Sequence, residues 1–136
     1  MAVLDTNVLL RYLTQDNPDH AQRAFALLRQ IDAGTRTALL PEGVLVETVQ
    51  VLSSRNLYNV GREEIRSRLS PVLRLPGIKL ANKRSYLRAL DLYVEFTRLS
   101  FVDALCVAYA QRTEDATVIS FDEDFRNFPG LTWEQP

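Results

Sequence analysis

Five carboxylates stand where a side chain can do chemistry. Asp5 closes the first apolar run, Ala2-Val3-Leu4. Asp122 and Asp124 follow a second run, Thr117 to Phe121. Glu47 and Asp103 instead interrupt apolar stretches of helical period. Glu47 has Val44 and Val51 at helical spacing, with Leu45, Val49 and Leu52 further round. It borders a buried arc, and a carboxylate there needs a partner. Asp103 is the one charge in Phe101–Ala110, a stretch apolar enough to be buried all round. Like charges gathered this way would take up protons from solvent unless a cation is present. A hard divalent ion, Mg²⁺ or Mn²⁺, suits oxygen donors of this kind. Such an ion suits hydrolysis of a phosphodiester by metal-activated water. Thr6, Asn7 and Ser120 sit beside these acids and are placed to orient carboxylates or hold metal-bound waters.

Asp5, Asp103, Asp122 and Asp124 have a plainer reading as helix caps, and Glu47 as a snorkelling or arginine-paired rim residue. Asp and Asn often follow strands to cap the next helix. Ser100 and Asp103 have the spacing of a reciprocal cap at N-cap and N3. That arrangement also favours an ionised carboxylate, because a helix N-terminus stabilises negative charge.

The elements that position these residues alternate. Ala2 to Leu4 reads as a strand and Val8 to Leu13 as a short helix. Asn17-Pro18-Asp19 starts a helix that stops near Gly34, with Ala21, Ala24, Phe25, Leu28 and Ile31 on its inner face. Thr37 to Leu40 is a strand. Helices follow from Pro41-Glu42 to about Ser54 and from Gly61 to Leu69, the latter ended by Pro71. Ile78 to Leu80 reads as a strand. Asn82 caps a helix to about Thr97, and Ser100 caps one to about Arg112. Thr117 to Phe121 is a strand, and Leu131 to Trp133 an edge strand. Short strands separated by helices mean a mainly parallel sheet, with ligands outside the carboxyl ends of its strands. Cys106 reads as a core residue, and Phe121, Phe125 and Phe128 read as packing more readily than as base-stacking residues.

Composition bounds the alternatives. The chain has 136 residues, 46% hydrophobic and 24% charged, as one soluble domain over 1–136 would. One cysteine excludes an internal disulfide, and one histidine, His20, leaves no multi-histidine zinc site. His20 itself reads as a surface residue. Five glycines form no phosphate-binding loop. The formal charge is -1 and evenly spread, so no basic stripe announces nucleic acid. No signal-like start or long uncharged apolar run appears, which points to the cytoplasm.

Four segments, in this order, resemble a known family. They are Val3-Leu4-Asp5-Thr6-Asn7, Leu45-Val46-Glu47-Thr48, Leu99-Ser100-Phe101-Val102-Asp103-Ala104-Leu105 and Val118-Ile119-Ser120-Phe121-Asp122-Glu123-Asp124-Phe125. Together they resemble the PIN-domain ribonucleases, most closely the VapC toxins of type II toxin–antitoxin modules. The resemblance implies a three-layer α/β/α sandwich with a mainly parallel central sheet. It implies an Mg²⁺- or Mn²⁺-dependent endoribonuclease acting on RNA, with acidic positions at Asp5, Glu47, Asp103 and Asp122 and a possible fifth at Asp124. It also implies a homodimer and inhibition by a small VapB-type antitoxin. Helical faces carrying Leu57, Tyr58, Ile65 and Leu69 are the candidate dimer surface.

Three other readings compete. A haloacid-dehalogenase-like phosphatase needs a second Asp two residues after the first, and Asn7 stands there. A receiver-type domain needs a Lys after a late strand, which neither Lys79 nor Lys83 supplies. A non-catalytic interaction module, with its acids serving as caps, would bind no Mn²⁺.

Overall fold

The computed structural model describes residues 1–136. The chain divides into two compact units, Met1–Lys83 and Arg84–Pro136.

In the first unit the order is β1 (Ala2–Val3), α1 (Thr6–Thr14), α2 (Pro18–Asp32), β2 (Ala38–Leu39), α3 (Glu42–Ser53), α4 (Arg62–Arg74) and β3 (Ile78–Lys79). The three strands pair in parallel in the order β1-β2-β3. Val3 stands opposite Leu39, and Leu39 opposite Lys79. Period-two alternation then sorts the side chains. Leu4, Ala38, Leu40, Ile78 and Leu80 are buried, whereas Val3, Leu39 and Lys79 point to the exposed face. Asn17 caps α2, accepting from the His20 N–H at 3.1 Å, with Pro18 at the first helical position. His20 is exposed, as its sequence setting implies.

Pro71 does not end α4; the helix runs on to Arg74. Ser67 and Pro71 are both exposed, so the lost backbone bond faces water. Val72 and Leu73 beyond it are buried. Burying two such side chains is worth about 3–6 kcal/mol, against about 3 kcal/mol for the interior proline. Ile65 and Leu69 are fully buried in the same helix, which removes them from the expected dimer surface; Leu57 is exposed and Tyr58 half-buried. Phe25 is also not core. It is 51% exposed, packed beside Tyr12 with ring centroids 6.3 Å apart and with the Arg29 guanidinium 5.9 Å from its own. Tyr12, Leu13, Pro18, Phe25, Arg68 and Pro71 line an open groove of about 1120 Å³.

In the second unit α5 (Lys83–Glu95, starting at the boundary) and α6 (Phe101–Ala110) precede β4 (Thr117–Ile119), a single 3₁₀ turn Glu123–Phe125 and β5 (Thr132–Glu134). Asn82 does not take the extended backbone of an N-cap; it lies in the left-handed region at φ 58°. The edge strand is present, and β5 pairs in parallel with β4. Tyr86, Tyr93 and Phe101 pack an aromatic core, with Tyr93 edge-on to Phe101 at 5.7 Å. Phe125 and Phe128 are buried as expected. Two packing expectations fail. Phe121 is 76% exposed, because β4 ends at Ile119 and the ring falls in the turn beyond it. Cys106 is exposed, and Val102 and Tyr109 are partly so. These three residues share one face of α6 at spacings of four and three, so apolar composition here does not mean burial all round.

Every strand pair is parallel, and strands alternate with helices, the elements of a three-layer α/β/α fold.

Candidate metal centre

The second unit builds its acids from two turns. At the start of α6, Ser100 is the N-cap. Its Oγ accepts from the Asp103 N–H at 3.0 Å, and Asp103 Oδ2 accepts from the Ser100 N–H at 3.1 Å. The reciprocal cap is therefore real, and it fixes the Asp103 rotamer through one oxygen while Oδ1 stays out of the cap. After β4, Ser120 Oγ accepts from the Asp122 N–H, and Asp122 Oδ1 accepts from the Asp124 N–H, each at 2.9 Å. Ser120 is held in turn by β5: its N–H donates to the Glu134 carbonyl at 3.0 Å, and its carbonyl accepts from Trp133 Nε1, also at 3.0 Å. Ser120 thus anchors the turn carrying Asp122.

These turns bring Asp103, Asp122 and Asp124 together, with one carboxylate oxygen of each within 4.8 Å of the others. Asp103 and Asp124 are half-buried and Asp122 is exposed. None of the three carboxylates forms an ion pair with a lysine or arginine. Each pair repels by about 0.9 kcal/mol at this distance in a water-like dielectric. That is small enough for the fold to carry and large enough to favour a divalent cation. Three hard oxygen donors with uncommitted lone pairs suit Mg²⁺ or Mn²⁺. Asp124, a secondary candidate in the sequence, is a full member of this group.

The first unit positions the other two acids. Asp5 precedes α1 with extended backbone, and its carboxylate makes no capping bond, so capping does not account for that side chain. Thr6, nearly buried, donates from Oγ1 to Glu47 Oε2 at 2.7 Å. Glu47 is itself exposed rather than at the edge of the core. Its partner is a hydroxyl on α1, so one oxygen is oriented and the carboxylate needs no neutralising arginine. Asn7 is exposed on the same first turn of α1.

Cys106 lies one turn along α6 from Asp103. Although the residue is exposed, neighbouring atoms partly screen its sulfur from water, and that desolvation, then the Asp103 charge, push the thiol above the usual range. It stays protonated at neutral pH and is a poor nucleophile or ligand there.

A model of the PIN domain family matches residues 2–131. The chain belongs to that family. PIN domains are generally metal-dependent nucleases, and the carboxylate cluster of this PIN domain fits the metal that such activity needs. No curated protein gives a significant match to the chain. No helix is long and apolar enough to cross a membrane.

Residue type alone did not single out two neighbours of the cluster. Arg98 donates from Nε to the Asp124 carbonyl at 3.1 Å, and Phe121 immediately precedes Asp122. The available signal for Arg98 was a cation two residues before the helix cap, close to Phe96. For Phe121 it was an aromatic at a strand end between two turn-forming residues.

Proposed function

We propose that this PIN domain is an Mg²⁺- or Mn²⁺-dependent endoribonuclease of the VapC type, the toxin of a toxin–antitoxin pair working in the cytoplasm. Residues 1–136 act as one nuclease domain on this reading, since the family match runs through both units. Asp5, Glu47, Asp103 and Asp122 form the acidic set, with Asp124 a fifth donor. The observation that carries the reading is the group of three carboxylates without a cationic partner, in a chain of this family.

When bound, the metal ion supplies charge neutralisation at the phosphoryl oxygens and eases deprotonation of water. The chain's own residues do the rest. Ser100 holds Asp103 and Ser120 holds the Asp122 turn, so these carboxylates are oriented in advance, and in the first unit Thr6 orients Glu47. The proton of the attacking water passes to an oxygen the fold leaves free, Glu47 Oε1 or Asp122 Oδ2. With one histidine, and that one exposed, the chain has no imidazole pair for attack by the 2′-hydroxyl. The expected products carry 5′-phosphate and 3′-hydroxyl ends. A substrate with one 2′-deoxy sugar at the scissile position is still cut. Cyclic-phosphate ends, or cleavage undiminished in EDTA, overturn this chemistry.

A small VapB-type antitoxin is the expected protein partner. An amphipathic segment with a cationic side chain suits it, since an arginine can meet the acids by charge-assisted hydrogen bonds. Full ribonuclease activity under saturating partner argues against it. A homodimer through helical faces, with Leu57 rather than Ile65 or Leu69 exposed, is tested by light scattering.

One observation favours the non-catalytic reading: Asp103 and Asp122 both accept capping hydrogen bonds. Each does so with one oxygen, which leaves the other for a metal. Mn²⁺ titration separates the two, since caps alone bind no ion.

A further inference from the structure

In the second unit, two side chains border the carboxylates and have few commitments of their own. Arg98 is exposed. It spends one of its five N–H donors, Nε, on the Asp124 carbonyl. Its guanidinium carbon lies 5.7 Å from the ring centroids of both Phe96 and Phe128, and those centroids are 4.5 Å apart. The aromatic pair and the carbonyl fix the guanidinium beside the acids without an ion pair, leaving its terminal nitrogens for a ligand. Phe121 is the large hydrophobic side chain next to Asp122, and three quarters of it faces solvent at 76% exposure. Its backbone is not loose. Ser120 is tied to β5, and the Asp122 N–H is tied to Ser120. A ring that contributes little to the core is thus presented on a fixed turn. Arg126, the other cation of this region, is occupied by Glu123 at 3.4 Å.

We propose that Arg98 and Phe121 hold single-stranded RNA against the carboxylate cluster, Arg98 binding a backbone phosphate and Phe121 stacking on a base. The inference rests on the nuclease reading and adds to it the residues that hold the strand. The chain's formal charge of -1 cannot attract RNA as a whole, so local contacts must supply the affinity. A guanidinium with free terminal donors matches a phosphate in two directions at once. An aromatic face accepts any base, which suits a strand held for cutting rather than for readout.

The test measures binding of a fluorescein-labelled, mixed-sequence RNA strand by anisotropy, with Ca²⁺ replacing Mn²⁺ and the strand checked intact on a gel. Arg98→Gln is expected to weaken binding several-fold and to flatten the slope of log K against log salt by about 0.7, one phosphate contact on a single strand. Arg98→Lys keeps most of that slope. Phe121→Leu is expected to weaken binding by about 5- to 100-fold with the slope unchanged. All three variants stay folded and keep the rise in melting temperature with Mn²⁺, because none removes a carboxylate. Wild-type affinity and slope in both Arg98→Gln and Phe121→Leu overturn the inference. So does a wild type that binds Mn²⁺ but not the strand. Variants that retain RNA but lose self-association assign the surface to a second copy of the chain and overturn it as well. A wild type that shows no response to Mn²⁺ fails the nuclease reading instead.

Discussion

Replacing Asp103 by Asn separates its two roles, because the amide keeps an acceptor for the Ser100 N–H and loses the charge. Without metal, the loss of a negative charge in the first turn of α6 costs about 0.3–1 kcal/mol. The same change removes two repulsions, with Asp122 and with Asp124, at separations within 4.8 Å. Each is about 0.9 kcal/mol in water, and roughly half that at physiological ionic strength. The two effects nearly cancel, so metal-free Asp103→Asn should melt within about 3 °C of wild type. With Mn²⁺ at a hundred times its dissociation constant, wild type gains about 2.7 kcal/mol. For 136 residues, with unfolding entropy of about 2.1 cal/mol/K per residue, that is a rise of about 9 °C. Asp103→Asn should lose most of it, and differential scanning fluorimetry with and without EDTA reads both numbers. A full Mn²⁺ rise in Asp103→Asn refutes the argument that this carboxylate holds the ion. A fall of 10 °C or more without metal shows that the cap, not the cluster, is what its charge serves.

Other expectations concern neighbouring parts. Ser120→Ala removes the acceptor for the Asp122 N–H and should weaken Mn²⁺ binding by about tenfold, read by calorimetry, with little change in metal-free stability. Gly77→Ala places a Cβ 2.8 Å from Ile31 Cγ2 and 3.1 Å from the Ile31 and Arg36 carbonyl oxygens. Two of these three neighbours are backbone, so a loss of about 1–3 kcal/mol in urea unfolding is expected, and an unchanged midpoint contradicts it. Asp16 is held down to about 2, first by the Tyr58 hydroxyl and also by Arg11 and Thr14. A depressed carboxylate contributes stability above its unfolded value near 4, and that stability is lost as pH falls toward 2. Tyr58→Phe should therefore raise the Asp16 titration midpoint, seen by carboxyl NMR, and lessen the loss of stability over that window.

The order of elements was legible because each carries its own punctuation. Asn17-Pro18 opens α2, and Ser100 with Asp103 opens α6. The stops were less legible. Pro71 carries a local signal to end a helix, and only the burial of Val72 and Leu73 overrules it. The same gap between local pattern and tertiary surroundings explains the exposed ring of Phe121 and the exposed face of α6. Among the site residues, Asp122 and Asp103 were readable from strand end and cap spacing, and the structure brings them together. Asp124 is harder to read, because a second acid in the same turn has no spacing signal of its own. The Thr6–Glu47 bond spans 41 residues of sequence, and no periodicity can announce a contact of that range.

The hold of β5 on Ser120 bears on when the cluster can exist during synthesis. A chain emerging from the ribosome folds its N-terminal parts first. Asp103, Asp122 and Asp124 are all made before Thr132–Glu134, the strand whose Glu134 carbonyl and Trp133 indole anchor Ser120. In that interval the nascent chain has every acid of the cluster, but β4 has an unpaired edge and the turn after it has no anchor. On the proposed metal reading, competence to bind the ion follows the pairing of β5 rather than the appearance of the last acid. A fragment interrupted between Asp124 and Thr132 keeps the full complement of acids and should still be a poor metal binder, so scoring a truncated or frameshifted copy by its acids alone would overrate it.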